Sequence, residues 1–180
     1  MRAGVHFFLS SLVIFCVGSA MHFVFVASGC SPIVGVFAAV NESVWEHAKL
    51  MLWPILGWWL CLCKGSVQAS VVSSYSAAFL LFAIYAVVSE VAHYEQLWFD
   101  IVLFAFCVAS GQALGVYVFE RRLPGSEGAY VAALTAMIVC LCVFTFAWVP
   151  AVPYLFLDHA RQVYGPYCAA SSSNVSSVFG

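Results

Sequence analysis

The segment NESVWEHAKL, residues 41–50, organises the rest of this chain of 180 residues. It holds four ionisable side chains in a sequence in which only 8% of the residues are charged. The apolar run that follows, residues 50–63, is too short to cross a bilayer and becomes long enough only if its helix starts near Ser43. The sequence therefore predicts ionisable residues in the first turns of a membrane-spanning helix, near the depth of the lipid headgroups.

The composition is that of a membrane protein. Hydrophobic residues make up 64% of the chain, whereas soluble domains carry about 25% charged residues, so lipid must be its main solvent. We predict an all-α fold, a polytopic transmembrane helical bundle of about five spans, with residues 1–165 as a single transmembrane domain. Residues 166–180 are expected to form a disordered polar tail. A net charge of −2 gives no reason to expect nucleic acid, and membrane lipid is the expected partner.

The predicted spans alternate with short polar segments whose charges orient the chain. With the N-terminus inside, four of the six Lys and Arg residues also lie inside. We therefore expect an integral protein of the cell (inner) membrane, with its N-terminus inside, its C-terminal tail outside and its first span retained rather than cleaved. Pro54 predicts a kink in the second span. The five spans cover residues 6–27, 43–63, 67–89, 97–119 and 129–148.

An odd number of spans places the first loop, the third loop and the tail on one membrane face. That face gathers four of the five histidines. Ionisable residues at membrane depth usually face the protein interior and carry function. The face collects Glu42, Glu46, His47, Lys49, Glu90, His93, Glu95, Asp100, Asp158 and His159, with His22 near the same end of the first span.

A structural interpretation of the segment is that it caps a helix. Ser43-x-x-Glu46 is a capping box, in which two side chains satisfy two free backbone N–H groups. Glu46 and Lys49 are three residues apart and can form an ion pair on one side of the helix. Trp45 suits the aromatic belt at a membrane interface. This interpretation leaves three residues of the segment unexplained.

The three unexplained residues, Asn41, Glu42 and His47, indicate chemistry. A carboxylate beside an imidazole can bind a metal, relay a proton or activate water. Glu90-x-x-His93 has the carboxylate–histidine spacing of metal sites in helical bundles, although a solvated loop is the commoner explanation. The sequence therefore offers two groups of candidate ligands on the same membrane face.

The eight cysteines favour packing over metal binding. Six lie within apolar runs, where Cys behaves as a small hydrophobe. The two pairs with one residue between them lack the spacing of a zinc site. Cys30 and Cys168 lie outside the spans, where they can form a disulfide.

Several motifs are similar to those of a known family. The segment NESVWEHxKL with Trp53-Pro54 resembles the signature of domain-of-unknown-function family 6512, an uncharacterised family of small prokaryotic membrane proteins. The resemblance covers residues 18–165 and implies a multi-span fold with His22, the signature and Asp158 on one face, but it implies no activity. The chain departs from the family at Val149-Pro150-Ala151, where Pro-Pro-His is frequent. Further matching pieces are Gly18-x-x-x-His22-Phe23, Pro32-Ile33-Val34-Gly35-x-Phe37, Phe144-Thr145-Phe146, Leu155-Phe156-x-Asp158 and Tyr164-Gly165.

The first of three functional hypotheses is a metal-assisted membrane hydrolase with its site at one membrane face. Its substrate would be a lipid or another membrane-bound molecule. The alkaline ceramidases and progestin-receptor-like proteins, which hold zinc with three His beside an Asp and a Ser, offer a distant analogy. In this hypothesis a divalent metal such as zinc binds to His22, His47 and His93, and the catalytic residues are Glu46, Asp158 and Ser43.

The two alternatives use the signature differently. A small-solute or proton-coupled transport protein would relay protons along its ionisable residues, although no second half of the chain mirrors the first, as in many transporters. A structural membrane protein would use the signature as a helix cap and an ion-pair lock. The sequence alone is compatible with both an enzyme and a protein without enzymatic activity. The signature residues outside the proposed catalytic and metal sets are Asn41, Glu42, Trp45 and Lys49.

Overall fold

The computed structural model describes residues 3–63, 66–91, 97–121, 125–145, 153–158 and 161–168. Some sequence predictions concern residues outside these ranges. They are the predictions for Arg2, Lys64, His93, Glu95, Arg122, residues 146–152, His159 and the tail beyond residue 168.

Helices dominate the described residues, which confirms the all-α class. A short antiparallel pair of strands, in which Leu157 lies opposite Tyr164, completes the regular structure of this part of the chain. In chain order the elements are α1 (Ala3–Ala27), α2 (Pro32–Gly35), α3 (Val44–Gly57) with a π-helical turn (Trp58–Leu62), α4 (Val67–Val91), α5 (Leu97–Arg121), α6 (Glu127–Val143), α7 (Pro153–Phe156), β1 (Leu157–Asp158) and β2 (Val163–Tyr164).

Among the described residues, three helices are long and apolar enough to cross a membrane, by length and composition. They are Ala3–Ala27, Val67–Val88 and Trp98–Arg121. Large apolar side chains such as Phe23 and Phe79 are exposed on them, as contact with lipid requires. Three of the five predicted spans therefore have the necessary dimensions. The other two correspond to the shorter α6 and to α3 with its π-helical turn.

The core of the bundle is built around α3. It packs against α1, α4, α5 and α7. Leu50, Met51 and Leu52, three successive residues that point to different sides of the helix, are all buried. A helix that is buried all round lies in the centre of a bundle rather than at its surface. Pro54 removes one backbone donor inside α3, and the chain passes into the π-helical turn four residues later.

Close contact between α1 and α3 depends on Gly18. A β-carbon at this position would collide with the carbonyl oxygen of Leu50 and with the ring of Phe104. Glycine therefore lets the two helix backbones approach, as small residues do between membrane helices. His22 lies one turn after Gly18 on the same face of α1, so this approach carries its imidazole to the start of α3.

The loop after α1 and the C-terminal segment meet at one end of the bundle. A disulfide joins Cys30 to Cys168, whose Cα atoms are 6.1 Å apart although 138 residues separate them in sequence. Asn41 Nδ2 donates to the Gly165 carbonyl at 2.9 Å. Two segments that the odd number of predicted spans assigns to one membrane face are thus in direct contact.

Candidate metal centre

The N-terminus of α3 is capped by Ser43, as predicted. Its backbone is extended and its Oγ accepts from the Glu46 N–H at 3.4 Å. The Ser43 N–H, however, donates to Asn41 Oδ1 at 2.9 Å, and the Glu46 carboxylate accepts from the Val40 N–H at 2.9 Å. The reciprocal half of the predicted capping box is therefore wrong, because Asn41 already accepts from Ser43 and Lys49 draws the carboxylate inward.

Glu46 and Lys49 form a buried ion-pair cluster on α3. Their side chains are 3% and 0% exposed, and Lys49 Nζ lies 2.7 Å from Glu46 Oε2. Lys49 Nζ also donates to the Gly35 carbonyl at 2.7 Å and to Thr145 Oγ1 at 3.0 Å. An ammonium group has three N–H donors, so each of them has an acceptor here. The cluster ties α2, α3 and the end of α6 together through paired and hydrogen-bonded charges.

His22, Glu42 and His47 form a second group, the His–Glu–His cluster. His22 Nε2 lies 3.4 Å from Glu42 Oε1, and His47 Nε2 lies 3.7 Å from Glu42 Oε2. The two imidazole rings are 5.6 Å apart between centroids. Between 21% and 34% of each side chain is exposed. One carboxylate thus lies between two imidazoles at a place that solvent can reach.

The proton on His47 has a defined position in the neutral ring. His47 Nδ1 lies 3.0 Å from the carbonyl oxygen of Ser43. Because a carbonyl oxygen only accepts hydrogen bonds, Nδ1 carries the proton. The lone pair of Nε2 is then directed to the side on which Glu42 lies. Metal-binding histidines are fixed in this way, by a hydrogen bond from the second ring nitrogen.

The three side chains have the dimensions of a metal site. One ligand atom from each residue lies within 4.8 Å of the other two. Ligands about 2.1 Å from a tetrahedral zinc ion are about 3.4 Å apart, so the pairs at 3.4 and 3.7 Å are at or near that spacing. Two His and one Glu are a ligand set of catalytic zinc sites, in which the fourth position is left for water or substrate.

A buried carboxylate supports the cluster from behind. Asp158 is fully buried, and its Oδ2 accepts from the Glu42 N–H at 3.1 Å. Arg161 donates from its backbone N–H to Asp158 Oδ1 at 2.9 Å and from Nη1 to Oδ2 at 3.0 Å. Arg161 Nη1 also lies 3.7 Å from Glu42 Oε1. Asp158 therefore positions both the backbone of Glu42 and the guanidinium group beside it.

The surroundings of Glu42 favour its ionised form. The hydrogen bond with His22 is the largest influence that lowers the pKa of the Glu42 carboxyl. The charges of His22, His47 and Arg161 act in the same direction, against the effect of burial. An ionised carboxylate is the form that binds a metal.

A small open pocket of about 100 Å³ leads to the cluster. One part of its wall is polar and the other part is apolar, since α1 contributes two apolar residues of its last two turns. The wall includes His22, Glu42, Arg161, Phe25, Val26 and Tyr167.

The family of the chain follows from a match over most of its length. Residues 3–166 match the family of unknown function DUF6512. The chain belongs to this family. No curated protein and no solved structure matches it. The part that matches DUF6512 contains both clusters, Asp158 and Arg161, whereas Cys168 lies beyond it.

Two of the three histidines predicted as metal ligands come together in this DUF6512 chain. They are His22 and His47, whereas His93 lies outside the described residues. Two residues predicted as catalytic border the cluster: Ser43 through its carbonyl, and Asp158 through the backbone of the central carboxylate residue. Their catalytic roles, and the metal-binding roles of the histidines, stay predictions.

Two other signature residues lie away from the pocket. Glu46, also predicted as catalytic, belongs to the buried ion-pair cluster. Trp45 is 9% exposed and packs against the rings of Phe82, Phe144 and Phe156. Its predicted place in an interfacial belt is wrong, because α3 occupies the core of the bundle.

The sequence predictions missed the ligand role of Glu42 and the presence of Arg161 in the site. Glu42 stands out in the signature of this DUF6512 chain, but nothing in the local sequence distinguishes it as a ligand from Glu46. Arg161 follows Asp158 at a spacing of three residues, which permits an ion pair. That spacing is the one sequence signal for Arg161, and it does not indicate that the pair lies beside the signature.

Proposed function

We propose that this chain is a membrane-embedded metalloenzyme, a metal-assisted hydrolase with its site at one membrane face. The observation that carries the proposal is the convergence of one ligand atom each from His22, Glu42 and His47 within 4.8 Å. These three residues would hold a divalent cation such as zinc and leave a fourth position open. Such a cation supplies Lewis acidity and lowers the pKa of a water molecule to about 7.

The other residues of the site have supporting roles in this proposal. The Ser43 carbonyl keeps the imidazole of His47 in one orientation. Asp158, buried and hydrogen-bonded to the Glu42 backbone, keeps the ligand loop in place. Arg161 lies where negative charge develops when a carbonyl or phosphoryl group is attacked. Glu46 contributes rigidity rather than proton transfer, since Lys49 and the Val40 N–H occupy its carboxylate.

The same proposal includes five membrane spans in a single domain of residues 1–165. The 14 residues of α3 and the 5 of its π-helical turn rise about 28 Å, close to the roughly 30 Å of a bilayer core. The contact between the loop after α1 and the C-terminal segment requires an even number of crossings between them. Four crossings, by α3, α4, α5 and α6, meet that requirement.

The disulfide supports the orientation with the N-terminus inside and the C-terminal segment outside. Disulfides form and persist outside the reducing cytoplasm. The Cys30–Cys168 bond lies at the same end of the bundle as the His–Glu–His cluster. The site would then face the exterior of the cell membrane, where a membrane lipid or another membrane-bound molecule is its substrate.

Metal analysis of the purified protein tests the proposal. We expect near-stoichiometric zinc in the detergent-purified wild type by mass spectrometry, and its loss in His47→Ala. His6→Gln is a matched control, since His6 lies on α1 but accepts a hydrogen bond from Trp58 and takes no part in the cluster. Absence of metal from the wild type, or equal zinc in His47→Ala, would refute the metal site.

The alternative function is structural, and the buried ion-pair cluster favours it. Saturated hydrogen bonding at Lys49 is what a lock between membrane helices needs. This alternative would be supported by two results together: the wild type contains no metal, and substitution of Glu46 or Lys49 lowers stability without any other effect. For a small-solute or proton-coupled transporter, the geometry of the described residues provides no comparable argument.

A further inference from the structure

The wall of the pocket carries a cation that the metal site does not use. Arg161 lines the pocket together with His22 and Glu42, and 41% of its side chain is exposed. Its guanidinium group lies over the Tyr167 ring, 4.9 Å from the centroid. The fully buried Asp158 also holds the guanidinium group, because its carboxylate accepts a hydrogen bond from Arg161 Nη1. Arg161 is thus fixed in place from two sides while part of it stays open to a ligand.

The charges around the pocket determine what kind of ligand fits. With both imidazoles neutral, Glu42 and Asp158 carry two negative charges and Arg161 carries one positive charge, so the net charge is −1. A divalent cation in the His–Glu–His cluster changes this net charge to +1. A bound cation therefore makes the pocket more attractive to an anion. A guanidinium group binds the paired oxygens of phosphate and carboxylate groups particularly well.

The apolar part of the wall determines what the anion is attached to. Phe25 and Val26 belong to the last turns of α1, and Val26 is largely exposed. α1 is one of the helices long and apolar enough to cross a membrane. The pocket therefore opens beside the apolar surface of a candidate span, where the acyl chains of an amphiphile would lie.

We propose that the pocket binds an amphiphile through its anionic phosphate group, with Arg161 as the residue that recognises the anion. This proposal rests on the metal-dependent function above and adds the class of substrate. Arg161 contacts the anionic group, the metal site lies within reach of the same group, and the largely exposed Val26 contacts the adjoining acyl chains. An uncharged lipid of the same chain length lacks the group that Arg161 recognises.

Binding measurements on the zinc-loaded full chain, in an uncharged maltoside detergent, test this proposal. The probes are phosphatidic acid, the diacylglycerol with the same acyl chains, and inorganic phosphate. We expect Arg161→Gln to weaken phosphatidic acid binding at least about tenfold, the effect of losing a charge-assisted hydrogen bond. Arg121→Gln is the matched control, since Arg121 also lies beside a tyrosine ring but is the last residue of α5 and does not line the pocket. The affinity of this variant for phosphatidic acid should equal that of the wild type. Removal of zinc should weaken phosphatidic acid binding to the wild type.

Each outcome separates this inference from the proposed function. If the wild type binds no zinc, the metalloenzyme proposal fails and the inference fails with it. If zinc binds but Arg161→Gln keeps the wild-type affinity, or diacylglycerol binds as well as phosphatidic acid, only the inference is overturned. Inorganic phosphate that binds as tightly as phosphatidic acid would overturn the assignment to an amphiphile.

A second variant covers the case in which Arg161→Gln fails to fold because Asp158 loses its partner. Arg161→Lys keeps the positive charge but lacks the planar fork of the guanidinium group. We expect it to bind phosphatidic acid more weakly than the wild type by about threefold or more, since Lys does not replace Arg in recognition by paired hydrogen bonds. Unchanged affinity in this variant would overturn the role of Arg161.

Discussion

The two clusters that begin in residues 41–50 differ in how far their hydrogen-bonding capacity is used. In the buried ion-pair cluster, all three donors of Lys49 have acceptors, and neither side chain is more than 3% exposed. In the His–Glu–His cluster, the nearest approaches are 3.4 and 3.7 Å, and the Nε2 lone pair of His47 is directed toward Glu42. Saturated contacts hold helices together, whereas unsaturated groups that converge can bind a further atom. Four residues of one segment are thus divided between a saturated, buried contact and a partly exposed cluster with unused ligand capacity.

The largest effect should come from Lys49→Met, which would leave the Glu46 carboxylate buried without its cation. Breaking a buried pair on one side costs about 3–5 kcal/mol, and we expect a loss of this size in thermal or SDS-induced unfolding in detergent. The double variant Glu46→Gln/Lys49→Met removes both charges and should recover most of the loss. An equal loss in the single and double variants would mean that packing, rather than charge, accounts for the effect.

Glu42→Gln should affect zinc binding strongly and stability only slightly. It removes a proposed ligand, so zinc affinity should fall at least about 100-fold. Substitutions of residues that only support the ligands already reduce metal affinity by up to about 100-fold. The unfolding free energy of the metal-free protein should change by less than about 1 kcal/mol, because about a third of the Glu42 side chain, 34%, is exposed. Isothermal titration with zinc and unfolding in the presence of a chelator measure the two quantities. A large stability loss at unchanged zinc affinity would reverse the roles of the two clusters.

Asp158→Asn should weaken zinc binding by a smaller factor, about 10–100-fold. Asp158 is not a proposed ligand but orients Glu42 through the backbone. Asparagine keeps an oxygen that can accept this hydrogen bond and removes the charge that holds Arg161. Zinc titration at neutral pH, beside the wild type, measures the change. Wild-type zinc affinity in this variant would show that Asp158 does not support the metal site.

The smallest effect is a pH dependence of stability in the metal-free protein. The folded pKa of Glu42 lies below its ordinary value of 4.5, chiefly because of the hydrogen bond with His22. A carboxylate of this kind stabilises the fold fully above its unfolded pKa, and the contribution disappears as the pH falls through the folded pKa. Between pH 6 and the acid side of pH 4.5, the wild type should therefore lose slightly more stability than Glu42→Gln. If the free energies of unfolding of the two proteins decreased equally over this pH range, the His22–Glu42 interaction would contribute nothing to the stability of the fold.

Local spacing predicts much of the buried ion-pair cluster. Ser43 is a strong N-cap residue ahead of an apolar run, and the i, i+3 positions of Glu46 and Lys49 permit a pair; both features are present. Spacing does not reveal burial, which depends on the packing of α1, α4, α5 and α7 around α3. For this reason Trp45 was expected at the membrane interface and lies in the core.

The His–Glu–His cluster is only partly predictable because its members meet through the fold. Hydropathy places His22 and residues 41–50 at the same membrane face, but the close approach of α1 to α3 at Gly18 is visible only in the structure. Asp158 reaches Glu42 from 116 residues away. No local pattern encodes such a contact, so Glu42 was not predicted as a metal ligand and Arg161 was not predicted as a member of the site.

The separation of 116 residues between Glu42 and Asp158 also sets an order of events during synthesis. At about 5–20 residues per second, a ribosome produces Asp158 roughly 6–23 s after Glu42. During that interval the two histidines and Glu42 are already made, but the carboxylate that orients Glu42 is not. The nascent chain therefore lacks an assembled cluster until α4, α5 and α6 have been synthesised and the C-terminal segment has docked. Completion of the bundle thus acts as a checkpoint, after which the proposed metal site can first form.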